Sequence, residues 1–281
     1  MSLSLFQLGV ELRKLFARRR SYLGFAGLFL MEGIILVLLN RGESKADFQR
    51  LLQSQGLDFN QYFSGLTIAT ELVTWTGFLP TALFLALISG DVMSNEAEEG
   101  TLQMVLCRPV SRLRLAFLKY ISCIGYTALL IGFLALTALS MGIGNRGMGS
   151  LFVWSAGEHI VAWHEAHAGI LRFCLAGLFL AFGLGTVTSL GFMFSCLRMK
   201  PAAAVTMTIA VVFLDFLFSS VPYFQEARPW FLSTHIAGWM HLFENSIPWK
   251  KVMGDYAWLL IADVGLFGIA AAVFQRRDFR T

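Results

Sequence analysis

Six apolar stretches constrain this chain more than any other feature. They run approximately over residues 22–39, 66–89, 120–143, 173–197, 202–221 and 256–274. A hydrocarbon core of roughly 30 Å is crossed by about 20 residues of helix, so each stretch is long enough to span a membrane. Hydrophobic residues make up 56% of the 281-residue chain and charged residues only 14%, against about a quarter charged in an ordinary soluble domain. The expected fold is therefore an all-α integral membrane protein with six transmembrane helices in a single transmembrane domain, 1–281. Pro80 lies inside the second stretch and predicts a kink there. Gly177, Gly183, Gly185 and Gly191 in the fourth predict close helix contact.

Charge sets the orientation. With the N-terminus inside, 14 of the 22 Lys and Arg residues fall on the inner segments or at their edges. The bias is clearest at the two termini and in the short turn holding Arg198 and Lys200, and it places both termini in the cytoplasm. Ahead of the first span, Leu5, Leu8, Leu12, Leu15 and Phe16 recur at helical spacing among Gln7, Glu11, Lys14 and Arg18. That pattern predicts an amphipathic helix in the membrane interface. A signal peptide is disfavoured, because no small-residue cleavage site follows the first span. The four cysteines, Cys107, Cys123, Cys174 and Cys196, lie in spans or in an inner loop, so no structural disulfide is expected.

The most distinctive polar interruption is 89–119. Glu96, Glu98 and Glu99 precede Gly100, and Arg108, Arg112, Arg114 and Lys119 follow. Gly100 suits a chain reversal with positive φ. Residues 101–107 are apolar at Leu102, Val105 and Leu106, a helical spacing. Pro109 stops that short helix, and Ser111 is a good N-cap for the next one. The result is a charged elbow between two spans, with one apolar face; an ordinary solvated loop is the competing reading.

The outer segments differ among themselves. Residues 41–65 are polar, with a short helix expected around 47–55. Residues 144–168 hold His159, Trp163, His164, Glu165 and His167. Imidazoles one helical turn apart can share a metal, but His159 fits that face poorly and no cysteine joins them, so no metal site is expected. In 222–255, Phe231, Leu232, His235, Ile236, Trp239, Met240 and Phe243 fall on one helical face. With Tyr223, Trp230 and Trp249 they predict an interfacial or re-entrant helical region carrying an aromatic belt before the last span. Four acids sit inside spans: Glu32, Glu71, Asp215 and Asp263. A carboxylate at membrane depth is unfavourable by about 2.5–3.5 kcal/mol, so such groups face protein or water. The spacing puts Glu32 near mid-membrane and the other three in the outer half. They line an outer vestibule if they converge; otherwise each is protonated or bonded separately.

Glu99-Gly100-Thr101-Leu102, then Leu106, Pro109, Ser111-Arg112 and Lys119, resemble the permeases of type-2 ATP-binding-cassette transporters. Glu11 to Lys14 followed by Arg18, Arg19 and Arg20 is similar to that family's opening helix. Phe274, Arg276, Arg277 and Phe279 resemble its closing motif. The resemblance implies a permease subunit, an exporter, paired as a homodimer or related heterodimer in a bacterial inner membrane. It implies a separate cytoplasmic ATPase that binds ATP and Mg, with no cofactor on this chain and no nucleic-acid partner. It also implies a coupling helix contacting that ATPase, carried by Glu98, Glu99, Gly100, Thr101, Leu102, Val105, Leu106, Pro109, Ser111 and Arg112. The chain has no GxxxxGK[ST] of its own, and no HExxH or serine–histidine pair points to an intramembrane enzyme. A non-transporting membrane scaffold is the remaining alternative.

Overall fold

A computed structural model describes residues 3–56, 58–106, 111–155 and 160–276. In chain order the elements are α1 (Leu3–Ala17), α2 (Arg19–Leu39), α3 (Gly42–Ser54), α4 (Phe59–Tyr62), α5 (Gly65–Thr76), α6 (Leu79–Asp91), α7 (Ser94–Glu98), α8 (Thr101–Leu106) and α9 (Arg112–Arg146). The hairpin β1 (Leu151–Ser155) and β2 (Ile160–His164) follows, then α10 (Ala166–Cys196), α11 (Pro201–Ser220), α12 (Leu232–Ile236) and α13 (Trp249–Arg276). Short 3-10 segments, Pro222–Trp230 and Ala237–Phe243, flank α12.

Five of the described helices are long and apolar enough to cross a membrane: α2, α9, α10, α11 and α13. The second apolar stretch is a bent pair, α5 and α6, turned by 52° at its break. Counted as one broken span, the pair brings the number to six. The cause is Pro80, at the start of α6. An unbroken helix would have the residue 80 amide donate to the carbonyl of Thr76, and proline has no N–H to give. The Thr81 hydroxyl donates to that carbonyl instead, at 2.8 Å, so it is not left bare in lipid.

The α10 helix packs against α6, α9, α11 and α13 and forms the centre of the bundle. Of the four glycines expected to allow close contact, Gly191 is the one that packing demands, since a Cβ there would overlap the Ser89 hydroxyl of α6. Gly177 and Gly185 meet only ordinary contacts. The core runs continuously through Leu28, Leu72, Leu85, Tyr126, Leu130, Leu180, Phe192 and Phe274. The outer faces of α2 and α11 stay largely uncovered, with Leu30, Ile34, Val37, Phe213 and Leu217 exposed.

The outer end departs from expectation in three ways. First, 144–168 contains an antiparallel hairpin in which Leu151 faces His164 and Ser155 faces Ile160. Second, 222–255 is not one interfacial helix. It is a 3-10, α and 3-10 succession containing Pro229, and Ile236, Trp239 and Phe243 are buried against the bundle rather than laid on its surface. Exposed aromatics remain at this end, Tyr223, Trp230 and Trp249 among them. Third, Trp249 opens the last span, seven residues before the expected start at 256. The helix expected around 47–55 is present as α3.

Candidate functional site at the charged elbow

The elbow consists of α7, a reversal at Gly100, and α8. Gly100 has φ +72°, the left-handed conformation that a side chain disfavours. Ser111 caps α9 by accepting from the Arg114 amide at 3.4 Å.

What fixes the elbow to the bundle is a buried lysine. Lys119, on the second turn of α9, is 2% exposed. Its ammonium donates to Glu96 Oε1 of α7 at 2.6 Å and to Glu11 Oε2 of α1 at 2.9 Å. Lys14 donates to the other oxygen of Glu11 at 2.8 Å. A lysine desolvated this far requires its carboxylates. Burial pushes the Glu11 carboxyl up, but Lys119 and Lys14 outweigh it and hold the group below the usual carboxylate value. Three elements distant in sequence therefore meet at one charge. The amphipathic helix α1 is thus joined to α9 by an ion pair as well as by Leu15, which is buried in the core.

Two further contacts complete the attachment. The Ser195 hydroxyl, near the end of α10, accepts from the Met93 and Ser94 amides at 2.7 and 3.1 Å, satisfying the start of α7. Arg20, at the start of α2, donates to Asp91 Oδ2 at 3.2 Å. Glu11, Glu96 and Ser195 as partners were missed from sequence. One signal was available: Lys119 sits in an apolar run, FLKYIS, where a lone cation needs a counter-charge.

The residues singled out at the elbow divide. Glu98 and Glu99 are exposed, and Glu99 accepts from the Asn95 amide group at 2.7 Å. Thr101 donates its hydroxyl to the Glu96 carbonyl at 3.2 Å. Arg112 reaches the Gln275 carbonyl at 3.1 Å and so ties the start of α9 to the end of α13. Leu102, expected on the outward apolar face, is fully buried in the chain's own core. Among the described side chains of α8, Met104 is exposed. The side chains of Val105 and Leu106, and all of Pro109, lie outside the described residues.

The four intramembrane acids share no partner. Asp215 accepts from the Leu232 and Ser233 amides at 2.8 and 2.7 Å, so it caps α12. Asp263 lies beside Ser189 and Thr186 of α10. It sits midway along α13. Glu32 is fully buried beside Thr137. Glu71 is half-buried on α5.

The histidines also separate. His164 ends β2 and donates Nε2–H to the Phe243 carbonyl at 2.6 Å, while His167 is in the first turn of α10. The two are thus not on one helix, and His159 lies outside the described residues. Among the described residues no three His, Cys, Asp or Glu groups are placed to hold a metal.

The profile of the ABC-2 family transporter protein matches residues 7–221, from α1 through the elbow to the end of α11. The chain belongs to the ABC-2 transporter family. This ABC-2 permease is also 36% identical over 96 residues to the uncharacterized protein YhcI of Bacillus subtilis (strain 168), a match covering 34% of the permease and 28% of the relative. The match thus spans less than a third of that protein. The family is one of transporter proteins, and the candidate spans described above agree with a membrane component.

Proposed function

We propose that the permease crosses a bacterial inner membrane six times, the α5–α6 pair forming one broken span, with both termini cytoplasmic. It acts as an exporter subunit, paired with a second permease chain and driven by a separate cytoplasmic ATPase that alone holds ATP and Mg. The uncovered faces of α2 and α11 are available for lipid and for the second subunit. The elbow is the coupling element: among its described side chains Glu98, Glu99 and Met104 are exposed, and Gly100 sets its angle.

The observation that carries this reading is the Lys119 ion cluster. A surface loop has no need of a buried lysine bound to two carboxylates from two other elements. An element that receives a push and passes it on does, because the load must reach α9 and α1 rather than flex the loop. Since Leu102 is buried, a charge placed there would disrupt the permease's own packing, and docking is tested at Met104 instead. Met104→Glu should insert and fold normally yet lose co-purification with the ATPase, or lose vanadate-sensitive transport-coupled turnover. An unfavourable charge in a helix-in-groove contact weakens association by roughly tenfold or more. Gln49→Asp on α3, also exposed, is the matched control and should be silent. Wild-type ATPase binding and turnover in Met104→Glu would overturn the coupling role of α8.

A further inference from the structure

Beside the break between α5 and α6, a cavity of about 270 Å³ opens onto the end of α11 and the α12 turn. Pockets for drug-sized ligands start at roughly 300 Å³, so this one suits a smaller molecule. Its apolar walls are largely aromatic: the Phe78 and Phe216 rings lie 5.7 Å apart, and Trp239 lines the cavity with them. Among the described residues no acid lines it. The polar groups are of two kinds. Four hydroxyls have already given their protons: Thr74 to the Thr70 carbonyl at 2.8 Å, Ser219 and Ser220 to that of Phe216 at 2.9 and 2.8 Å, and Ser233 to Ser219 at 2.9 Å. Such an oxygen has only a lone pair left to offer. Arg228, exposed at the edge, is the opposite. Its Nε donates to the Ser219 carbonyl at 3.2 Å. Among the described residues no carboxylate pairs with it, so its two terminal nitrogens form an open fork of donors.

We propose that this cavity is a binding site for a small phenolic acid: an aromatic ring with a carboxylate at one end and a hydroxyl at the other. The carboxylate accepts from the terminal nitrogens of Arg228, whose planar fork matches its two oxygens. The ring lies against Phe78, Phe216 and Trp239, where aromatic contacts favour a flat body. The ligand's hydroxyl donates to Thr74 of α5. Of the four hydroxyl oxygens this is the one with no bond to Ser219 or Phe216, and so the one not tied to the Arg228 side. A cationic ligand would meet Arg228 with no acid to offset it. A ligand without a donor would cover the Thr74 oxygen and leave its lone pair unused.

The test is calorimetric titration of the purified full-length permease, with the same titration into detergent alone subtracted. The probes are para-hydroxycinnamate, cinnamate, which lacks the hydroxyl, and para-hydroxycinnamyl alcohol, which lacks the charge. Binding is read on the permease alone, so the result is separate from the coupling role of the elbow. The acid bearing both groups should bind tightest. The alcohol should bind about tenfold more weakly, as loss of a charge-assisted hydrogen bond implies, and cinnamate about fivefold more weakly, as loss of a neutral one implies. Arg228→Gln, at an exposed position, should bring para-hydroxycinnamate down to the level of the alcohol. Thr74→Val should remove only the advantage over cinnamate. Equal affinity for all three probes would mark partition onto an apolar surface and overturn the site. So would absence of binding, or an acid preference that survives Arg228→Gln.

Discussion

The two ends of the bundle are fastened by different chemistry. At the elbow, side-chain charges meet side-chain charges: Lys119 holds Glu11 and Glu96, and Arg20 holds Asp91. At the outer end, alongside the pairs His235–Asp255 and His241–Glu244, side chains reach backbone. Arg172 of α10 donates to the carbonyls of Leu242, Glu244 and Asn245, His164 donates to that of Phe243, and Asp215 accepts from two amides. Contacts to backbone fix one geometry, because the carbonyls cannot change rotamer. Ion pairs between flexible side chains survive small displacements and can re-form. The difference suits an elbow that transmits movement and an outer cap that holds its shape.

Removing the central charge gives the largest effect on this contrast. Lys119→Met leaves Glu96 buried without its cation and Glu11 with Lys14 alone, and breaking a buried pair in this way costs about 3–5 kcal/mol. Thermal unfolding of the purified permease should fall accordingly, with the outer cap unaffected until global unfolding. A loss under about 1 kcal/mol would mean that the elbow is held by packing and not by charge.

Arg172→Ala should act at the other end and less severely. It removes three hydrogen bonds to carbonyls, at a cost of about 2–3 kcal/mol if water replaces part of them. Hydrogen exchange should quicken first in 237–245, while 94–106 keeps its protection. Loss of protection at both ends together would show that the two regions are one cooperative unit.

The gentlest probe is pH, and the two ends should answer it in opposite directions. His235 of α12 places Nδ1 at 2.8 Å from Asp255 and Nε2 at 2.9 Å from the Pro229 carbonyl. Both partners accept, so both nitrogens donate and the ring is charged. The bond to Asp255, helped by Pro229 and by the nearby Asp215, outweighs burial and raises this histidine above its usual 6.5. The stabilisation is thus fully present below the unfolded value and is lost as pH rises through the folded one. For Glu11, held below 4.5, the sign reverses: stability is present above the unfolded value and lost as pH falls through the folded one. Exchange protection, corrected for intrinsic rate, should therefore weaken in 232–243 on the alkaline side and in α1 on the acid side. Parallel loss at one extreme would contradict these assignments.

What could be read from sequence was what local chemistry decides. The break at Pro80 follows from one missing N–H, the cap at Ser111 from one hydroxyl, and the reversal at Gly100 from one missing Cβ. Contacts between distant residues were harder to read. Glu11 lies 108 positions from Lys119, and nothing in either neighbourhood names the other. The hairpin stayed hidden because two five-residue apolar runs do not reveal their period. In 222–255 the helical spacing was visible, but periodicity marks a buried face without saying whether lipid or protein buries it. Leu102 failed for the same reason.

The α9 helix runs unbroken for 35 residues, from the N-cap at Ser111 to Arg146, whose guanidinium lies over the Phe63 ring at 5.1 Å. At 1.5 Å per residue that is a rod of about 52 Å, against a hydrocarbon core of roughly 30 Å. Its lower part carries Lys119 and its upper end abuts α5, where Gly142 and Gly65 bring the two backbones together. On the proposed coupling role, such a rod would work as a lever with its fulcrum inside the membrane. Tilted by about 10° around its middle, it sweeps its tips roughly 4–5 Å in opposite directions, so a small rotation imposed at the elbow arrives beyond the far side of the bilayer as a displacement wider than a water molecule.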